Sequence, residues 1–228
     1  MFRSQAKELL TEKDRTELLL SEMLPKSVAR QLRLGNNVEA ETYETSTIYF
    51  SDIVDFNEIT LHSEPMQVIT LLNSVYNLLD SRIECYDVYK VETIGSVYMV
   101  VSGVPVRNGQ QHVVEVADMS LDILANIEEQ NFSGFTKKIE LRIGIHTGPC
   151  VAGVVGNKMT RYCLFGDTVN TASRMQSTGS ASRIHLSEET HKELKEFKRY
   201  NLKKRGTIEI KGKGMMTTYW LVGREKIF

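Results

Sequence analysis

Cysteine is scarce and unpatterned in this 228-residue sequence: Cys85, Cys150 and Cys163 are odd in number and form no CxxC pair. Neither a disulfide framework nor a cysteine zinc cluster is expected, and a reducing, cytoplasmic setting follows. No sign of charge predominates either, since 28 Lys and Arg face 29 Asp and Glu for a formal net charge of −1. That balance provides no global positive field for nucleic acid or an anionic membrane, so an anionic ligand has to be held locally. Long hydrophobic runs are missing. The longest, Val97 to Val106, is broken by Ser102, Gly103 and Pro105 and is far shorter than the roughly 20 residues of a spanning helix. GxGxxG, HExxH and GxSxG do not occur, and Gly206 to Gly212-Lys213 misses a P-loop by one extra residue and by Gly214 where Ser or Thr belongs. His62, His112, His146, His185 and His191 lack metal-ligand spacing and are expected to be structural or surface residues.

What remains is an ordinary globular composition, 41% hydrophobic and 25% charged, long enough for one large domain with its own core. Residues 4–24 carry Leu9, Leu10, Leu18 to Leu20 and Met23 at helical intervals until Pro25, either a coiled-coil stub for dimerisation or an amphipathic helix on its own domain. A short helix over Lys26 to Leu34 ends at Gly35. Ile48, Tyr49 and Phe50 begin a buried strand that ends in Asp52, and Glu64 to Asp80 reads as a helix. Val88 to Glu92 and Val97 to Ser102 form a hairpin around Thr93-Ile94-Gly95-Ser96. A helix over His112 to Ile127 precedes the alternating strand Ile139 to Ile145 and a further strand from Pro149 to Gly156. Asp167 is placed as N-cap of a helix over Thr168 to Met175. Strand, helix and two strands complete the chain. This order predicts an α/β fold, an α+β sandwich with a central mixed sheet, a hairpin and flanking helices.

Several acids and bases stand at element ends. Asp52, beside a turn, has the oxygen chemistry to bind a hard divalent cation, or simply opens the turn. Asn170 and Arg174 lie four apart and leave one helix face, as a phosphate and sugar clamp or as solvated side chains. Lys211 and Lys213 sit between glycines, within reach of a polyphosphate or in an exposed turn. Glu92 is a strand acid among apolar residues, and Cys163 lies within Tyr162 to Phe165.

Together these residues fall in strings that resemble the catalytic domain of class III nucleotide cyclases, receptor-type guanylate cyclases in particular. The strings are Ile48-Tyr-Phe-Ser-Asp-Ile-Val54, Asp87-Val-Tyr-Lys-Val-Glu-Thr-Ile-Gly95, Arg161 through Met175, and Lys211-Gly-Lys-Gly with Thr218-Tyr-Trp-Leu-Val-Gly223. The likeness spans about residues 15 to 223, so the catalytic domain is expected over 25–223, with 224–228 as a tail. It implies a ferredoxin-like core and conversion of GTP to 3′,5′-cyclic GMP and pyrophosphate with two Mg²⁺ or Mn²⁺ ions. It also implies a site shared between two paired domains, in a homodimer or a heterodimer with another cyclase chain. By this resemblance Asp52 and the Ile53 carbonyl hold metal. Glu92 and Cys163 read guanine, Asn170 orients ribose, Arg174 neutralises the α-phosphate, Lys211 holds the outer phosphates and Lys158 adds charge. The setting implied is the cytoplasmic side of a plasma-membrane receptor.

The sequence departs from that pattern on one edge. Ser96 stands where the second metal carboxylate belongs, Asp55 replaces a glycine, Asn57 a threonine and Thr160 a proline. Asp55 either repels phosphate or swings in as a substitute metal ligand. Three expectations follow: a guanylate cyclase impaired on its own, a catalytically incomplete partner for another cyclase chain, or a nucleotide-binding or dimerising module without turnover.

Overall fold

The computed structural model describes residues 24–225 except 133, 136–137 and 157–159. The helix expected over residues 4–24 and Lys158 therefore lie outside the described residues, as does most of the 224–228 tail. The described residues form two compact units, one comprising those up to Thr42 and those between Val151 and Leu164, the other those between Tyr43 and Cys150 and those from Phe165 onward.

In the smaller unit, α1 (Lys26–Arg33) starts at Pro25 and stops before Gly35, whose φ of 75° no helix continues. A Cβ on Gly153 would lie 3.0 Å from the Ala40 Cβ, so the backbones touch there.

The larger unit holds most of the sheet. The strands are β1 (Glu41–Ile53), β2 (Tyr89–Ile94), β3 (Val97–Ser102), β4 (Leu141–Val155), β6 (Arg183–Leu186), β7 (Tyr200–Ile210) and β8 (Gly214–Arg224), with β5 (Arg161–Phe165), all but its last residue in the smaller unit, pairing β4. They run in the order β2-β3-β1-β4-β6-β8-β7. The β4–β6 pairing is parallel, whereas β1–β3, β2–β3, β6–β8 and β7–β8 are antiparallel, so the sheet is mixed as the hairpin required. Two expected boundaries move. The hairpin loop is only Gly95-Ser96, with Ile94 opposite Val97, and the strand expected to restart at Pro149 is the continuation of β4. Pro149 is exposed and breaks nothing, because a proline on a strand costs only the N–H it lacks.

Helices α2 (Phe56–Leu61), α3 (Pro65–Ile83), α4 (Gln111–Glu129), α5 (Asp167–Ser177) and α6 (Glu188–Glu196) complete the described elements. Pro65 opens α3, and Gln67 accepts from the Glu64 N–H at 2.9 Å, satisfying a donor that a helix start leaves orphaned. Leu71, Val75 and Leu79, four apart, form its buried stripe against Val116 and Ile123 of α4 in the core. The histidines behave as expected. His112 is buried with Nδ1 2.8 Å from the Thr47 hydroxyl, and His146 lies 2.7 Å from the Ser187 hydroxyl. Burial lowers the pKa of both. His62 is exposed, and His191 stacks on Tyr219.

Candidate functional site

Residue alternation along β1 directs Asp52 away from the core that Ile53 enters, onto an open pocket of about 400 Å³. Asp52, Ile53, Asp55, Asn57, Ser96 and Arg142 are among the residues that line it. Ile53 is 1% exposed, so its side chain belongs to the core, and the residue also borders the pocket. The hairpin that carries Ser96 is fixed from below: Lys90 donates to Asp80 at 2.7 Å, Tyr98 also donates to Asp80, and the Tyr76 hydroxyl donates to the Gly95 carbonyl. Burial and the Asp80 hydrogen bond push the Tyr98 pKa up, keeping it a donor. The structure thus brings Asp52, Asp55 and Ser96 together, as the sequence implied.

The same edge contains a residue that sequence reasoning missed. Arg142 donates through Nε to Asp52 Oδ1 at 3.1 Å and through Nη2 to Oδ2 at 2.7 Å, so both carboxylate oxygens are taken by one guanidinium. Hydrogen bonding to Asp52 raises the Arg142 pKa. The available signal was the alternation of β4, which puts Arg142 opposite Leu141 and Ile143 and on one face with Gly144 and His146.

Asp55 explains why a glycine is at home in this turn. Its φ of 54° and ψ of 28° are left-handed, and aspartate is among the few residues with a side chain that tolerate that region. The turn entering α2 therefore keeps a glycine-like path while gaining a carboxylate. Asp55→Gly is expected to stabilise the fold by about 1 kcal/mol, raising Tm by about 2–4 °C, while Asp55→Val should lower it. A fall in Tm for the glycine variant, by thermal melting, would show that the carboxylate's own contacts outweigh the strain.

The oxygen donors on this edge, from Asp52, Asp55, Glu58 and Ser96 with Ile53 beside them, suit a hard cation in charge and donor type. Ser96 contributes a neutral hydroxyl to this edge, and no group of three His, Cys, Asp or Glu able to hold a metal forms among the described residues.

A second set of residues gathers on α5. Thr168, Thr171, Ala172, Met175 and Gln176 are buried, which leaves Asn170 exposed and Arg174 half-buried on the other side. Asp167 is the first helical residue rather than the N-cap, a place taken by Gly166 at φ 129°. Its carboxylate instead accepts from Lys213, which ties the β7–β8 turn to the start of α5. The two lysines of Lys211-Gly-Lys-Gly thereby separate in role. Lys213 is an anchor, and Lys211 is exposed at the turn. Glu92 is half-buried on edge strand β2, next to an irregularity in its pairing with β3 between Lys90 and Glu92. Cys163, half-buried on β5, belongs to the smaller unit.

Residues 38–223 match the family described as Adenylate and Guanylate cyclase catalytic domain. The chain is 53% identical over 226 residues to Retinal guanylyl cyclase 1 of Mus musculus, covering 98% of this chain and 20% of that protein. It is 54% identical over 218 residues to Atrial natriuretic peptide receptor 2 of Homo sapiens, covering 95% of this chain and 21% of that one. The chain thus spans about a fifth of the length of these relatives. Among solved structures, the guanylate cyclase domain of RhGC from Catenaria anguillulae in complex with GTP superposes with a TM-score of 0.77 at 37% identity, over 81% of this chain and 100% of that one. The adenylyl cyclase CyaB from P. aeruginosa superposes with a TM-score of 0.76 at 28% identity, over 82% and 98%.

Proposed function

Because the chain belongs to the adenylate and guanylate cyclase catalytic domain family, we propose that it is the guanylate cyclase domain of a larger receptor-type protein and that its own metal edge is impaired. The observation that carries this reading is the contrast between two edges. Asn170 and Arg174 share α5, whose start Lys213 ties to the turn that carries exposed Lys211, while the pocket beside Asp52 receives only a neutral hydroxyl from Ser96.

The reaction is in-line attack of the ribose 3′-oxygen on the α-phosphorus of GTP, forming the cyclic ester and releasing pyrophosphate. Asn170 orients the ribose so that the oxygen approaches in line. Arg174 donates to the α-phosphate oxygens as charge gathers on them, and Lys211 holds the leaving pyrophosphate. Asp52 and the Ile53 carbonyl would hold a divalent cation, Mg²⁺ or Mn²⁺, which supplies charge neutralisation at the triphosphate. In a dimer, one copy offers this acidic edge and the other offers α5, so a partner chain with both acids would form one competent site with this chain. That pairing, a heterodimer with an intact cyclase, is the second reading, and neutral Ser96 favours it.

Guanine selection is assigned to Glu92 and Cys163. A carboxylate pairs with guanine's two adjacent donors, the N1 and exocyclic amino hydrogens, whereas adenine turns a ring lone pair toward it. The chain is expected to bind GTP in preference to ATP, and Glu92→Lys with Cys163→Asp to shift the preference toward ATP. Competition between GTP and ATP for a fluorescent guanine nucleotide measures this without turnover. A preference for ATP in the unaltered chain would refute the assignment, and cyclic GMP formation with Mn²⁺ tests the activity itself.

A further inference from the structure

We infer that Arg142 is a latch on the cation-binding carboxylate: its guanidinium occupies both oxygens of Asp52, and a divalent cation gains them only by displacing it. The inference rests on the assignment of Asp52 to the cation edge.

The geometry sets the conflict. Both Asp52 oxygens accept from Arg142, at 3.1 and 2.7 Å, in the forked arrangement that is the strongest form of a carboxylate pair. A magnesium-sized cation needs a carboxylate oxygen at about 2.1 Å, and a guanidinium nitrogen 2.7 Å from the same oxygen draws on one of its lone pairs and repels the newcomer by its charge. The pair is sheltered as well. The Asp52 side chain is 15% exposed and that of Arg142 29%, so water screens their attraction only in part.

Ser96 decides which side prevails. An acid at the hairpin turn would add a negative charge to the same pocket and draw a cation to the edge while Arg142 still held Asp52. With a neutral hydroxyl there, the incoming ion has Asp55 and Glu58 to attract it and must strip Asp52 from a well-matched fork. Mg²⁺, which dehydrates reluctantly, is the poorer competitor, and Mn²⁺ the better. The guanidinium cannot be deprotonated away, because an arginine stays charged throughout the stable pH range and Asp52 raises its pKa further. Arg142 is therefore a positioning residue whose release accompanies cation entry.

The test is Mn²⁺ binding to the nucleotide-free chain, followed by the loss of the free-ion electron paramagnetic resonance signal. Arg142→Gln is expected to tighten Mn²⁺ binding at least about tenfold, the equivalent of removing one charge-assisted hydrogen bond from the competition. Arg142→Lys, which keeps the charge but loses the fork, should fall between, and it carries the test if the glutamine variant fails to fold by circular dichroism. Asp52→Asn should abolish the site in every background. If Asp52→Asn abolishes binding while neither arginine variant tightens it, the latch is refuted and the cation edge stands. If Asp52→Asn binds Mn²⁺ as the unaltered chain does, the edge assignment itself fails, and the latch with it.

Discussion

Ser96→Asp is expected to raise GTP cyclisation by this chain at least about tenfold with Mg²⁺, equivalent to roughly 1.4 kcal/mol of restored transition-state stabilisation. The gain with Mn²⁺ should be smaller, since that ion suffers less from the missing charge. There is room for the change: Ser96 lies in a two-residue hairpin loop on an open pocket of about 400 Å³, so a carboxylate meets no packed wall. Asp55 sorts the outcomes. If its carboxylate already serves as the substitute ligand, Ser96→Asp adds little and Asp55→Gly removes whatever activity exists. If it only repels phosphate, Asp55→Gly lowers the KM for GTP and adds to the gain. A sharper form of the experiment uses two chains. The double variant Ser96→Asp, Arg174→Ala has a repaired acidic edge and a disabled α5, whereas the unaltered chain has the reverse. Each alone should form little cyclic GMP. Mixed, half of the dimers pair one of each and hold one competent site of two, so about a quarter of the Ser96→Asp activity should return. A mixture no more active than the sum of its parts would end the idea that the lesion is confined to one edge, and an unaltered chain as fast with Mg²⁺ as Ser96→Asp would end the idea of a lesion.

The reason this edge was legible at all is that it sits at strand and turn ends, where local pattern is informative. Asp52 closes an apolar strand, Ser96 follows the Gly95 turn, and Asn170 and Arg174 show a four-residue helical spacing. Each is a short-range signal. What connects them is not. Arg142 reaches an aspartate 90 residues earlier and Lys213 reaches Asp167 across 46, and no spacing rule anticipates an ion pair between distant strands or between a hairpin turn and a helix start. The same limit explains Asp167. As an aspartate before an apolar helix it fits the N-cap pattern, yet Gly166 supplies the cap backbone at a positive φ that favours glycine, and the carboxylate is left for Lys213. Two elements were too short for periodicity to register, the six-residue α2 and the five-residue β5. β4 was split because Gly148-Pro149 looks like punctuation, whereas its fifteen residues run through with the proline turned outward. Asp55 was visible as a substitution, but its left-handed backbone, which makes the substitution tolerable, belongs to the folded chain alone.

The position with the largest expected effect on the fold is Gly144, which also carries α5 and hence Asn170 and Arg174. A Cβ added there would lie 1.8 Å from the Gln176 nitrogen, 2.4 Å from the Gln176 Cα and 2.4 Å from the Met175 carbonyl carbon. All three are backbone atoms, so no rotamer change relieves the clash, and the helix itself has to move. It is held against doing so by Met175 and Ala172 in the core, by the Thr168 hydroxyl donating to the Pro149 carbonyl at 2.5 Å, and by His185 Nδ1 2.7 Å from the Met175 carbonyl. The His185 pKa is lowered to about 4, chiefly by burial, so near neutral pH the ring is uncharged and its Nδ1–H donates to Met175. Gly144→Ala is therefore expected to cost at least about 3 kcal/mol, a fall in Tm of about 6–12 °C for a chain of this size. Gly223→Ala, with nothing within 4 Å of its Cβ, should leave Tm nearly unchanged and serves as the control. The displacement has a catalytic reading too. If α5 shifts by about 1 Å relative to β4, cyclisation in the Ser96→Asp background should drop on the order of a hundredfold, because misplaced clamps lose in-line geometry. Were Gly144→Ala to melt within about 2 °C of the unaltered chain and cyclise GTP as well in that background, β4 would not be the element that sets the position of α5, and the close packing of helix on strand would have to be given up as the reason Asn170 and Arg174 stand where they do.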